Sequence, residues 1–173
     1  MRHHRDLGPN AGLIGKPRSR QALATPALIL DLDAFEANLK TMARLAKRAG
    51  LSLRPHAKTH KSVAMAKFQL AAGAVGISVA TVREAAVMVE AGIPGVLLTT
   101  PVFGDVKIDT VCGLAGRSAG FMVAVDSLIG VQALEVALER HGKTLSVLAD
   151  IDIGMKRTGV PDVEGALALI RRL

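Results

Sequence analysis

Short apolar runs alternate with amphipathic stretches along nearly the whole chain, and this alternation restricts the possible folds more than any other feature. "PALILD" (26–31), Leu51–Pro55, 76–80, 95–100, 120–125 and 144–152 read as strands. Between and after them, 33–50, 61–72, 82–91, 105–115, 127–140 and 162–172 read as helices. In 33–50, Phe35, Leu39, Met42, Leu45 and Ala46 recur on one helical face, with Asp33 as the expected N-cap and Gly50 as the stop. Nearly continuous apolar strands joined by helices specify an α/β fold in which a parallel sheet is covered by helices. Six strands and six helices fit an open doubly wound sheet. They also fit most of a (β/α)₈ barrel, which takes about 250 residues. The 173-residue sequence halts at "LALIRRL", inside a helical pattern, so an N-terminal piece of something longer is expected.

Charge and aromatic content narrow the function classes. Of the net +7, residues 1–20 supply +4 (Arg2, Arg5, Lys16, Arg18 and Arg20 against Asp6). A basic leader over 1–24, expected to be disordered, therefore holds most of the excess, and the rest of the chain is ordinarily charged. With four Phe, no Trp and no Tyr, the chain lacks stacking platforms for bases, so no nucleic-acid partner is expected. No apolar run reaches membrane-spanning length, and the leader lacks the apolar segment of a secretory signal. The single cysteine, Cys112, excludes an internal disulfide and any cysteine-based zinc cage. A cytoplasmic protein without a membrane partner is the expectation.

Chemistry in parallel α/β folds gathers where strands end. After Leu51–Pro55 comes the crowded segment "LRPHAKTHK", with Arg54, His56, Lys58, His60 and Lys61. Three readings fit it: a solvated basic turn, a metal site from His56 and His60, or a reactive amine at Lys58. Neighbouring cations favour a neutral lysine, and a neutral lysine can form a Schiff base with an aldehyde. The second cluster is "LADIDIGMKRTGV" (148–160). Alternation puts Asp150 and Asp152 on one side of a strand, needing partners such as Arg157 or Lys58, or else forming a surface ion pair. Thr81 and Asp126 read as helix caps.

"TPALILDLDAFEANL", "LRPHAKTHKS", "ISVATVREAAVMVEAGI" and "DIDIGMKRTGV" together resemble the D-threonine aldolase and D-serine dehydratase-like family. That family sits within the pyridoxal-phosphate enzymes sharing the alanine-racemase barrel. The resemblance implies a (β/α)₈ TIM-type barrel, incomplete in this chain, with 25–173 as its N-terminal part and "PALILD" joining a separate β-rich domain. It implies that Lys58 carries pyridoxal 5'-phosphate, that His56 lies beside the cofactor, and that Arg157 bonds the region of its ring hydroxyl. The implied activity is a lyase acting on small β-hydroxy-D-amino acids, by retro-aldol cleavage or dehydration, in a homodimeric parent. A racemase and a non-catalytic pyridoxal-phosphate-binding homeostasis protein are the alternatives; racemases carry lysine where this chain has Asp150. The family's divalent-metal ligands and its Gly/Ser/Thr-rich phosphate segment have no counterpart in this sequence, so no metal ligand is assigned here.

Overall fold

The computed structural model describes residues 8–173. The chain divides into two compact units, the second being Leu39–Leu173. In the first, two 3-10 turns, Ala11–Leu13 and Ser19–Ala22, are tied by Asn10, whose side-chain amide donates to Ala24 O (3.2 Å) and accepts from Ala24 N (2.8 Å). Residues 1–7 of the expected disordered leader lie outside the described residues.

"PALILD" does not form a strand. Strands exist by pairing, these residues pair with none of the described strands, and Leu28, Ile29 and Leu30 are exposed. Helix α1 (Leu32–Arg48) follows, capped by Asp31 and not by Asp33: the Asp31 carboxylate accepts from Ala34 N at 2.9 Å. Gly50 does end it. At φ +66 it lets Gly50 N reach Lys47 O and Leu51 N reach Ala46 O, a Schellman turn.

Four parallel strands, β1 (Ile77–Val79), β2 (Val96–Leu98), β3 (Met122–Val125) and β4 (Ser146–Ala149), lie side by side in sequence order. Their intervening helices are α3 (Val82–Glu90), α4 (Asp105–Leu114) and α5 (Leu128–His141); α2 (Val63–Ala71) precedes β1 and α6 (Val163–Arg172) follows β4. Each helix from α3 onward packs beside the next. Thr81, Ser127 and Asp162 cap α3, α5 and α6. The predicted strand 51–55 shrinks to one parallel bridge, His56 to Ser78, flanked by Val75 N–Leu53 O (2.9 Å) and Ser78 N–Pro55 O (2.8 Å). Pro55 has no N–H with which to extend a ladder. The predicted strand 144–152 is β4 plus a single bridge from Ile151 to Val160.

Alternation along the strands places Ile77, Val79, Val96, Leu98, Val123 and Val125 in one fully buried row, packed with Met88, Ile108, Val111, Leu134 and Leu169 of the helices. Burying each such side chain is worth about 1.5–3 kcal/mol. At the amino end of the strands, the Arg54 guanidinium donates to Gly95 O and fills the space beside Gly76. A Cβ on Gly76 would collide with both Arg54 and the Gly95 carbonyl, so only glycine lets the arginine enter.

Candidate active site

The segment bearing Lys58 leaves the sheet edge at Pro55, and its first act is to cap itself. His56 is extended (φ −94, ψ 116), and its Nδ1 accepts from Lys58 N at 3.2 Å, starting a 3-10 turn over Ala57–Thr59. Ala57, 1% exposed, anchors that turn in the core and leaves Lys58 on the solvent side at the carboxyl end of the sheet. No hydrogen bond or ion pair engages the Lys58 ammonium among the described residues. Beyond the turn, His60 N and Lys61 N both return to Ala57 O, at 3.1 and 2.7 Å. His60 Nδ1 accepts from Ser62 N (3.0 Å), and Ser62 caps α2.

Two residues not singled out in the sequence fasten this turn. Thr99, at the end of β2, places its hydroxyl 3.3 Å from His56 Nε2. Glu84, in the first turn of α3, accepts from Ala80 N (2.8 Å) and pairs with Lys61 Nζ (3.2 Å). Thr81 accepts from Glu84 N, so Thr81-x-x-Glu84 has capping-box spacing, a signal readable in the sequence. Thr99 carries no comparable signal.

The electrostatics differ from the expected crowd of cations. Arg54 points away to Gly95, and Lys61 is neutralised by Glu84. Burial, followed by the Lys58 charge, pushes the His56 imidazole below its ordinary range, against a smaller upward pull from Glu84. Burial would raise the Glu84 carboxyl, but the Ala80 N–H and Lys61 together hold it below the usual carboxylate range. Each histidine uses Nδ1 to accept a backbone N–H, which removes those nitrogens from any shared metal; His60 Nε2 is buried without a partner. No group of three or more metal-ligating side chains occurs among the described residues.

The second cluster lies past β4, at the other edge of the sheet but at the same end. Asp152 does not pair with Arg157 or Lys58. Its carboxylate accepts from Lys156 N (2.9 and 3.0 Å) and Gly154 N (2.8 Å), and these N–H groups hold it below the usual range. Asp126 is not a cap either. Ser127 takes that role, while Asp126 reaches across 33 positions to accept from Gly159 N at 3.3 Å. Arg157 is exposed and has no hydrogen bond or ion pair among the described residues. The structure therefore brings His56 and Lys58 together and leaves Arg157 on a separate turn.

Comparisons with known proteins bear on the family and the fold. The family described as "Alanine racemase, N-terminal domain" matches residues 30–173. The chain belongs to that family. It is 39% identical to a D-threonine aldolase of Arthrobacter sp. over 158 residues, covering 91% of this chain and 41% of the relative. It is 37% identical to a 3-hydroxy-D-aspartate aldolase of Paracoccus denitrificans, covering 86% and 39%. Its fold matches the crystal structure of D-threonine aldolase from Filomicrobium marinum with a TM-score of 0.81 and 47% identity, over 84% of this chain and 39% of that one. The chain spans about two fifths of the length of these relatives, and its sheet is part of the alanine racemase N-terminal barrel.

Proposed function

We propose that this chain is the lysine-bearing part of a pyridoxal-phosphate lyase of β-hydroxy-D-amino acids, with residues 25–173 forming the N-terminal part of its barrel domain. The observation that carries the reading is the Lys58 turn: a lysine whose backbone is tied down at every neighbour while its amine has no protein partner among the described residues. Such an amine fits an aldehyde. Arg157, with a guanidinium likewise unengaged at the same end of the sheet, fits an anionic oxygen, which it can meet with several donors in one plane.

When bound, pyridoxal phosphate acts as an electron sink for negative charge developing at the substrate's Cα. What the protein contributes can be stated residue by residue. Lys58 would hold the cofactor through its amine, the group that the substrate's amine would replace. His56, kept neutral by burial, fixes the Lys58 backbone and adds no charge beside it. Arg157 would supply a permanent positive charge to a cofactor oxygen. Ala57 and the Lys61–Glu84 pair prevent the turn from drifting. A divalent metal held elsewhere in the parent, a homodimeric assembly and cytoplasmic residence complete the proposal. What supports the lyase reading is the similarity to two aldolases acting on D-amino acids.

The test is covalent mapping. Purified chain is mixed with pyridoxal phosphate, reduced with borohydride and digested, and the label is located by mass spectrometry. Lys58 should dominate, and Lys58→Ala should remove the label. A label distributed over Lys61 and Lys67 to the same extent would overturn the assignment. In the longer protein, Lys58→Ala should abolish cleavage of β-hydroxy-D-amino acids.

A further inference from the structure

Counting protons around His56 leaves one arrangement. The Thr99 hydroxyl donates to Val79 O at 3.0 Å, so its single hydrogen is committed. At 3.3 Å from His56 Nε2 it can then only accept, which requires hydrogen on Nε2. His56 Nδ1 accepts from Lys58 N, so it must be bare. A hydrogen on Nδ1 would face the Lys58 N–H. A ring without hydrogen on either nitrogen is an anion that no group here would stabilise. The chain of bonds Lys58 N–H to His56 to Thr99 to Val79 O therefore closes with the neutral Nε2–H tautomer alone. Burial and the Lys58 ammonium, which hold this imidazole below its ordinary range, point the same way.

We propose that Thr99 is a positioning residue for the Lys58 turn: by accepting from Nε2 it selects the His56 tautomer whose Nδ1 caps the Lys58 amide. Thr99 touches neither Lys58 nor any reacting atom. It acts through His56, from the end of β2, with β1 between it and the segment that bears Lys58. Its catalytic consequence rests on the reading of Lys58 as the cofactor lysine, whereas the tautomer does not.

Nitrogen-15 NMR of the histidine rings in the 173-residue chain tests the tautomer without any cofactor. The wild type should show the Nε2–H pattern for His56; an Nδ1–H or fully protonated ring at pH 7.5 (about one unit above the ordinary value of about 6.5) would overturn the proposal with no variant needed. Thr99→Val keeps the shape and removes the acceptor. It should mix the two tautomers and speed hydrogen exchange at the Lys58 amide about three- to tenfold, the worth of one hydrogen bond. Borohydride trapping of pyridoxal phosphate on Lys58 should slow by a similar factor. Thr99→Ser should restore all three readouts, which a purely structural threonine would not require. A Thr99→Val chain with the wild-type ring pattern and Lys58 exchange overturns the proposal. If the wild type takes no label on Lys58 while the tautomer results hold, the cofactor reading fails and the role of Thr99 toward the Lys58 backbone stands.

Discussion

The turns that carry Lys58 and Arg157 sit at the same end of one sheet, yet they are built differently. The first is sunk into the core at Ala57, and its neighbours reach three separate elements: His56 to β2, Lys61 to α3, and Ser62 to the start of α2. The second is mostly self-contained. Asp152 ties it to its own backbone, and Gly159 to Asp126 is the side-chain link back to β3, while Ile153 (93%) and Met155 (73%) stand in solvent. The two edges of the sheet differ in the same way. β1 is buried throughout, and β4, with a neighbour on one side only, has alternate residues exposed. On the proposed reading, a lysine that must meet an aldehyde at one fixed point needs the first construction. An arginine that would reach for an anionic oxygen on a long flexible stem tolerates the second.

The largest effects should come from two glycines: Gly76, just before β1 and against Arg54 of the segment that leads to Lys58, and Gly159, within the Arg157 turn itself. Gly76→Ala drives a Cβ into Arg54 and the Gly95 carbonyl, inside a packed sheet that cannot yield. We expect a loss of about 3 kcal/mol or more, a large share of a typical domain's 5–15 kcal/mol. Gly159→Ala also collides, with Asp152 N, and forces an alanine to φ +97. Gly159 is half-buried where the turn rejoins the Ile151–Val160 bridge, but the residues before it are exposed and can give way, so the cost should be smaller, about 1–2 kcal/mol from the strain. Thermal melts of the two variants compare them directly. Equal losses would mean that the Arg157 turn is as integral to the core as the other.

Acid should separate the turns next. His56 has a folded pKa below its ordinary value of about 6.5. Between the folded and ordinary values the unfolded chain holds more protons, so falling pH favours unfolding. The stabilisation is complete above about pH 6.5 and is lost progressively as pH drops through the folded value. Glu84, also depressed, adds a second loss below about pH 4.5. Glu84→Gln keeps an acceptor for Ala80 N but loses the charge facing Lys61. Because Lys61 is two-thirds exposed (67%), the cost should be only about 1 kcal/mol at pH 7 and should shrink as pH falls below about 4.5 and on through the lower folded value. A variant whose deficit does not change with pH would show that the pair does not hold the Lys58 turn.

How far the sequence could lead is clear from particular residues. The strand–helix alternation and the parallel sheet were legible because buried parallel strands are continuously apolar. Caps at Thr81 and the stop at Gly50 were legible because their chemistry is local. "PALILD" misled because an apolar run does not show whether a partner strand exists. Asp152 misled because alternation shows which side a carboxylate takes, but not that the N–H groups of Gly154 and Lys156 in its own turn will take it up. Asp126 and Thr99 act over 33 and 43 positions, and no local pattern encodes such a span. For the site, His56 and Lys58 were readable as a motif. That the histidine serves the lysine's backbone, and that the cations beside it are turned away or paired, required coordinates.

The smallest expected effect on stability is also the sharpest test of the comparison. Arg157 has no partner among the described residues, and Lys156 contributes to its turn through its backbone N–H, which alanine keeps. Arg157→Ala and Lys156→Ala should therefore each alter stability by no more than about 0.5 kcal/mol, as exposed substitutions do. They should part company over the cofactor. A guanidinium that braces an anionic oxygen offers a charge-assisted contact, and its removal should weaken pyridoxal-phosphate retention in the longer protein about tenfold. Lys156→Ala should leave retention unchanged, since its ammonium has no role in the proposal. Dialysis of the loaded protein, followed by absorbance, reads both. If the two variants lose cofactor alike, or neither does, Arg157 is an ordinary surface residue, and the exposed turn past β4 is open because nothing is asked of it.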